Sequence, residues 1–73
     1  MAEGLRNRLR ELRAERDLTQ AALAEMVEVS RKTINTIENG VFIPSTLLAL
    51  KLAQALGLAV EEIFSLDKER QEK

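Results

Sequence analysis

Cysteine, histidine, tryptophan and tyrosine are all absent from this chain of 73 residues, and Phe42 and Phe64 are its only aromatic residues. The lack of cysteine excludes disulfides and thiolate metal sites, and the lack of histidine removes the commonest metal ligand and general base. Because no nucleophile is supplied together with a base, we expect no enzymatic activity, no metal and no cofactor. The core must be aliphatic, since two phenylalanines cannot fill it.

Long apolar runs are missing as well. No stretch approaches the roughly 18 consecutive apolar residues of a membrane-spanning helix, and the N-terminus lacks the charged-then-apolar layout of a signal peptide. These absences predict a soluble, cytoplasmic protein with no membrane partner. Apolar residues make up 45% and charged residues 32% of the chain, which suits a compact helical domain rather than disorder.

The spacing of apolar residues and the positions of capping residues predict five short helices. Their expected ranges are about 5–16, 20–27, 31–39, 46–56 and 60–64. Thr19, Ser30 and Ser45 are N-cap residues in this scheme, and Gly40 and Gly57 end the third and fourth helices. The fold class is therefore all-α, with one compact domain over residues 1–66. A charged C-terminal tail, residues 67–73, is expected to be frayed.

The second and third helices form a separate pattern. They are short and are joined by a tight turn at Glu28-Val29. In the third helix Ile34 and Ile37 face inward together, which leaves a polar outer face. Two helices this short cannot bury a core alone, so they must lie on other helices and present that polar face outward. Its donors suit phosphates and base edges, and the pattern is that of a helix-turn-helix, which is typical of DNA binding.

Several short motifs occur in order along the chain. They are Leu18-Thr19-Gln20, Leu23-Ala24, residues 29–35, Ile37-Glu38-Asn39-Gly40, Ile43-Pro44-Ser45 and residues 50–57. Together they resemble the Cro and phage-repressor type of helix-turn-helix regulators, also called the Xre or lambda-repressor-like family, over about residues 5–66. The resemblance implies a compact five-helix lambda-repressor-like domain. It also implies that the third helix lies in the major groove of double-stranded DNA, usually as a two-fold dimer on a pseudo-palindromic operator.

The resemblance also implies roles for individual residues. The expected base-contacting residues are Arg31, Lys32, Asn35 and Thr36. The expected phosphate-contacting residues are Gln20, Ser30, Thr33 and Asn39. Arg13 and Glu38 match a charged pair that ties the first helix to the third. From the residues alone, the five arginines from Leu5 to Arg16 are offset by acidic residues, and we expect them to form a solvated face.

Three positions depart from the family pattern. Glu28 stands in the turn where most members have glycine, because one residue there is expected at positive φ, and glutamate would cost about 1 kcal/mol. Val41-Phe42-Ile43 replaces a basic residue that many members carry after the third helix, so apolar surface is left to be covered. Leu47 stands where polar residues are common, which indicates an interface if other exposed apolar residues lie near it.

Three functions are compatible with these residues. The first is a sequence-specific transcriptional repressor that acts as a homodimer and is controlled by its abundance or by a partner. The residues expected at its dimer interface are Leu47, Leu58, Val60, Ile63 and Leu66. The second is the antitoxin of a toxin–antitoxin pair, with a protein partner on the acidic, apolar C-terminal third. The third is a protein-interaction module that has lost DNA binding. The net charge of −1 and the apolar Val41-Phe42-Ile43 favour the third slightly. The same net charge means that DNA must be held by a local basic face.

Overall fold

The computed structural model describes residues 4–67. The elements in chain order are β1 (Gly4–Asn7), α1 (Leu9–Glu15), α2 (Gln20–Val27), α3 (Arg31–Glu38), α4 (Thr46–Leu56), α5 (Val60–Ile63) and β2 (Phe64–Asp67). The predicted five-helix fold is confirmed, and a two-stranded sheet is added to it. The predicted C-terminal tail lies outside the described residues, except for Asp67, which ends β2.

The helix boundaries follow from local capping, as the sequence predicts. The side-chain oxygens of Thr19, Ser30 and Ser45 each accept a hydrogen bond from the backbone N–H three residues further on, at 2.9, 3.1 and 3.1 Å. Each bond satisfies one of the amides that a first helical turn leaves without an acceptor. Gly57 ends α4 in the left-handed region at φ 72°, a conformation that costs glycine little.

The first helix is shorter than predicted, because the chain enters it through a strand. Residues 4–7 pair antiparallel with residues 64–67, with Leu5 opposite Leu66. Asn7 ends this strand, and its Oδ1 accepts from the N–H of Leu9 while its Nδ2 donates to the carbonyl of Ile37, both at 3.0 Å. For the same reason α5 ends one residue early, at Ile63, and Phe64 begins β2.

The core is aliphatic, as predicted, with Phe64 as its one aromatic member among residues 4–67. Its buried residues are Leu9, Leu12, Leu23, Ala24, Val27, Ile34, Ile37, Leu48, Leu52, Ala53, Leu56, Ile63 and Phe64. Every helix contributes to this set. Full burial of one such leucine or isoleucine stabilises the fold by about 1.5–3 kcal/mol. The packing of Ile34 and Ile37 therefore fixes which face of α3 remains outside.

No helix within residues 4–67 combines the length and the apolar character that crossing a membrane requires.

Candidate DNA interface

The turn between α2 and α3 contains the strained residue that the sequence predicts. Glu28 has φ 64° and ψ 44°, in the left-handed region that glycine adopts without steric cost. The N–H of Val29, the next residue, then bonds to the carbonyl of Ala24 at 3.0 Å, which closes the end of α2. The Glu28 carboxylate accepts from Lys51 Nζ at 3.1 Å, so the turn is also linked to α4. The turn thus sets the angle at which α3 leaves α2.

The outer face of α3 begins with two exposed cations. Arg31 and Lys32 follow the cap residue Ser30 directly, and neither side chain has a hydrogen bond or ion pair to another residue within the described part of the chain. Asn35 and Thr36 lie one turn further along the same face and are half-buried. The positive end of the helix dipole lies at the same end of α3 and favours an anionic ligand there.

The hydroxyl groups on this face are partly engaged inside the protein. Ser30 Oγ accepts from the N–H of Thr33 and lies 3.0 Å from Thr33 Oγ1, so these two hydroxyls share a hydrogen bond. Thr36 Oγ1 donates to the carbonyl of Thr33 at 2.9 Å. Because its hydrogen is used in this way, Thr36 offers only lone pairs to a ligand and can act as an acceptor.

Arg13 and Glu38 meet as a charged pair between α1 and the last turn of α3. Arg13 Nε lies 2.6 Å from Glu38 Oε2, and an Nη atom of Arg13 donates to Glu38 Oε1 at 3.2 Å. The Glu38 side chain is 0% exposed. Arg10 Nε also approaches Glu38 Oε1, at 3.4 Å. A carboxylate removed from water needs such partners, and two-point pairing with arginine is the strongest form of them.

These contacts set the protonation state of Glu38. Burial acts to raise the pKa of its carboxyl group, but hydrogen bonds from Arg13 and Gln20 and the charge of Arg13 act in the opposite direction and outweigh it. The pKa of Glu38 is therefore lower than usual. The pKa of Arg13 is raised by the same hydrogen bond. Both groups are charged at neutral pH, and the pair holds the third helix against the first.

Gln20 lies at the start of α2 and turns its side chain toward α3. Its Nε2 donates to Glu38 Oε1 at 3.0 Å and to Asn35 Oδ1 at 3.2 Å, so both amide hydrogens are used inside the protein. The Gln20 side chain is therefore engaged with α3, and its contact with a phosphate stays a prediction. The first backbone amides of α2, those of Gln20 and Ala21, have no acceptor within the helix and remain available to an anion.

Two arginines, Arg10 in α1 and Arg16 directly after it, make more contacts within the protein than the sequence analysis expected. Arg10 donates from an Nη atom to Asn39 Oδ1 at 2.8 Å, in addition to its contact with Glu38. Arg16 donates to the carbonyls of Leu56 and Leu12, at 3.1 and 2.9 Å. Their side chains stay solvated, at 61% and 32% exposure, so the predicted solvated face also makes contacts within the protein. Arg10 and Arg16 each lie three residues from Arg13, and this helical spacing is the sequence signal that all three share one face.

The loop after α3 brings apolar side chains beside the polar face. The N–H groups of Val41 and Phe42 both donate to the carbonyl of Thr36, at 2.9 and 3.2 Å, which folds the loop back against the helix. Val41 is 76% exposed and Ile43 is 68% exposed. Val41 and Phe42 share a shallow depression with Ser30, Lys32, Thr33 and Thr36. The apolar surface expected from the sequence therefore borders the face of α3 itself.

The residues expected at a dimer interface occupy different environments. Leu47 and Leu66 are exposed, and Leu58 and Val60 are half-buried. Ile63 is 2% exposed and belongs to the core. Leu50 is also exposed on α4 and shares a shallow groove with Leu5 and Val60.

Two packed helices, a turn at positive φ and a polar outer face on the second helix define a helix-turn-helix protein. The helix-turn-helix family model HTH_3 matches residues 9–63. The chain belongs to the Xre, or lambda-repressor-like, family of helix-turn-helix proteins, and it is a DNA-binding transcriptional regulator. The resemblance stated from the sequence motifs is confirmed.

Relatives of known sequence and structure agree with this assignment. The chain is 42% identical over 65 residues to the uncharacterised HTH-type transcriptional regulator YgzD of Bacillus subtilis, covering 89% of this chain and 98% of that protein. It is 47% identical over 66 residues to an HTH-type transcriptional regulator of Methanothermobacter thermautotrophicus, covering 89% and 96%. The crystal structure of the restriction-modification controller protein C.AhdI from Aeromonas hydrophila has a TM-score of 0.72 and 38% identity, covering 75% of this chain and 83% of that one.

Proposed function

We propose that this regulator is a sequence-specific repressor that binds a pseudo-palindromic operator as a homodimer, with α3 in the major groove. The observation that carries the proposal is the pair of exposed cations, Arg31 and Lys32, at the capped start of α3. In helix-turn-helix proteins this end of the second helix contacts base edges. Two exposed cations at the start of a helix are well suited to guanine O6 and N7 and to phosphate.

The proposed contacts divide into two groups. Arg31, Lys32, Asn35 and Thr36 face the base edges, and at least one of the two cations reads a base. Arg31 is the better candidate, because its planar guanidinium can contact guanine at two points. Ser30, Thr33 and Asn39, together with the first backbone amides of α2, lie along the phosphates and set the position of α3 in the groove.

The homodimer is supported by apolar side chains that the monomer leaves exposed on α4 and on the sheet. Leu47 and Leu50 project from α4 into solvent, and Leu50 shares its groove with Leu5 and Val60. Leu66 lies opposite Leu5 in the sheet, so the two leucines share one face of it. Apolar residues gathered in this way are typical of an interface. The proposed dimer interface includes Leu58 at its edge. It does not include Ile63, because the monomer already buries that side chain. Two α3 helices of such a dimer would lie roughly 34 Å apart, one turn of DNA.

Repression is the simplest consequence of occupying a promoter, because a bound dimer excludes polymerase from the same DNA. Activation requires an additional contact with polymerase.

Two structural neighbours are consistent with a regulator of this kind. One is described as the SOS-response transcriptional repressor LexA from Eubacterium rectale; it has 25% identity and a TM-score of 0.73, covering 89% of this chain and 69% of that one. The C.AhdI neighbour is described as a controller of a restriction-modification system. Both descriptions support a regulator that switches specific promoters.

Selection of bound sequences from a random pool of double-stranded DNA tests the proposal. We expect an inverted repeat whose half-sites are centred about 10 base pairs apart. The selected site, placed in a promoter ahead of a reporter gene, should lower expression when the protein is present. Recovery of no preferred sequence would contradict sequence-specific binding. A rise in reporter expression would contradict repression.

A second candidate function is favoured by the loop after α3. Val41, Phe42 and Ile43 expose apolar surface beside the recognition face, which suits a protein partner such as the toxin of a toxin–antitoxin pair. Co-purification of the product of the neighbouring reading frame, lost in a Val41→Ser, Ile43→Ser variant, would support an antitoxin. Failure to bind heparin or any DNA at moderate salt would favour an interaction module without DNA binding.

A further inference from the structure

A short chain of hydrogen bonds fixes the orientation of one amide on the recognition face. An ionised carboxylate can only accept hydrogen bonds, so the group that Gln20 turns toward Glu38 must be its NH2. The same NH2 donates to Asn35, so the atom that Asn35 turns toward Gln20 must be its carbonyl oxygen, at 3.2 Å. The NH2 of Asn35 then points away from Gln20. It has no acceptor among residues 4–67.

The arrangement cannot easily be reversed. Arg13 and Arg10 hold the Glu38 carboxylate, which is 0% exposed, so this carboxylate stays ionised and stays an acceptor. A flipped Asn35 would set its NH2 against the NH2 of Gln20, donor against donor. It would also leave a half-buried donor without an acceptor, and such a loss is unfavourable. Gln20 is therefore a positioning residue. Through Gln20, the Glu38 carboxylate that Arg13 holds determines which way the Asn35 amide is oriented.

We propose that Glu38, through Gln20, holds the Asn35 amide as an outward hydrogen-bond donor, so that α3 selects a keto base, guanine or thymine, opposite Asn35. The inference rests on the proposed docking of α3 in the major groove and deepens it. Guanine presents two acceptors there, O6 and N7, and thymine presents O4, whereas cytosine presents the N4 donor and adenine presents its N6 donor beside the acceptor N7. A donor-only amide can bond adenine N7, but it leaves the neighbouring N6 donor unpaired, which disfavours adenine. An unrestrained asparagine pairs with adenine at two points, using its oxygen for N6 and its nitrogen for N7. Here the oxygen is turned toward Gln20.

The experiment compares base preferences for the wild type and four variants of the full chain. Asn35→Ala identifies the base pair that Asn35 contacts, as the position whose preference is lost. Gln20→Ala removes the restraint on Asn35, and Gln20→Met removes it while keeping the side-chain volume. Gln54→Ala is the matched control, because Gln54 is an exposed helical glutamine on α4. Circular dichroism establishes that each variant is helical, and selection from random double-stranded DNA gives the preference at every position.

At the base pair identified by Asn35→Ala, the wild type should prefer a keto base on the contacted strand over adenine by at least about five-fold. Both Gln20 variants should reduce this ratio to below about two-fold by admitting adenine, while the other positions keep their preferences. Gln54→Ala should behave as the wild type. If neither Gln20 variant folds, the base preference of the wild type at that base pair is the test: a keto base supports the inference, and adenine or cytosine contradicts it.

Four results would overturn the inference while leaving DNA recognition by α3 intact. The wild type could prefer adenine or cytosine at that base pair. The keto preference could persist in both Gln20 variants. Asn35→Ala could alter no position. The Gln20 variants could lose affinity evenly for all sequences, with the salt slope reduced by about one per subunit, which would make Gln20 a phosphate contact. Selection of no sequence at all by the wild type would instead contradict the proposed function itself.

Discussion

Arg13 and Glu38, 25 positions apart in the chain, form a two-point ion pair with a closest distance of 2.6 Å, which joins α1 to the end of the recognition helix. Glu38 also accepts from Gln20 at 3.0 Å, so one carboxylate connects α1, α2 and α3. The three helices that must keep their mutual positions for DNA to be read thus share one buried group.

Replacing this carboxylate by an amide should destabilise the fold. In Glu38→Gln the Arg13 guanidinium loses its charged partner while it remains largely buried, and we expect the free energy of unfolding to fall by about 3 kcal/mol. Urea denaturation at neutral pH measures this change. Glu11→Gln is the control, because Glu11 pairs with Arg8 on an exposed surface. The control should change stability by less than about 0.5 kcal/mol. Equal effects of the two substitutions would contradict the role assigned to Glu38.

The same pair predicts a pH dependence. Because the pKa of Glu38 is lowered in the folded state, the unfolded chain binds more protons between the two pKa values, and stability rises with pH there. The contribution of Glu38 is complete above the ordinary glutamate pKa of about 4.3 and is lost as the pH falls toward the folded value. The stability difference between wild type and Glu38→Gln should therefore shrink below about pH 4.3. A difference that stays constant from pH 7 to pH 3 would show that the charge is not responsible.

Glu28→Gly tests the strained turn. Glycine adopts φ 64° without the steric cost that glutamate incurs, so the substitution should stabilise the fold by about 0.5–1 kcal/mol. The substitution also removes the Lys51 contact, but both partners are exposed and the pair contributes little. Thermal unfolding of Glu28→Gly, Lys51→Gln and the double variant separates the two effects. A lower melting temperature for Glu28→Gly in the Lys51→Gln background would contradict the account of the turn.

Much of this fold is local and could be predicted from the sequence. The caps at Thr19, Ser30 and Ser45 depend on one side chain and an amide three residues away, and the left-handed turn was indicated by the family position that Glu28 occupies. The sheet was missed because it pairs residues about 60 positions apart, and Leu5 also falls at helical spacing from Leu9. Asn7, a capping residue inside the predicted helix, was the available sign that the helix begins later.

The candidate site was predicted less completely, because its geometry depends on contacts between helices. Ile34 and Ile37 are three residues apart and face the core together, which leaves Arg31 and Lys32 on the outer face. The sequence alone is sufficient to predict this placement. The position of the Gln20 side chain is different, because both of its acceptors lie on α3, 15 and 18 residues further along the chain. A pattern of residue types at the start of α2 does not contain that information.

The proposed homodimer predicts a concentration-dependent assembly that one leucine controls. Leu47 is 65% exposed on α4, so Leu47→Gln should leave the fold unchanged and weaken self-association. Sedimentation equilibrium at high micromolar concentration, with and without operator DNA, measures the assembly. Met26→Gln is the control, since Met26 is an exposed apolar residue on α2, outside the proposed surface. A wild type that remains monomeric under all these conditions would contradict the homodimer.

The central claim is that the start of α3 reads base edges in the major groove, and Arg31→Ala tests it most directly. The measurement is a set of binding curves at several salt concentrations, on the selected operator and on scrambled DNA, for wild type, Arg31→Ala, Lys32→Ala and the charge control Lys51→Ala. If Arg31 contacts guanine, its removal should cost about 1–3 kcal/mol per half-site and relax the preference at one base pair only. Wild-type binding to every DNA by both Arg31→Ala and Lys32→Ala would show that α3 does not lie in the groove.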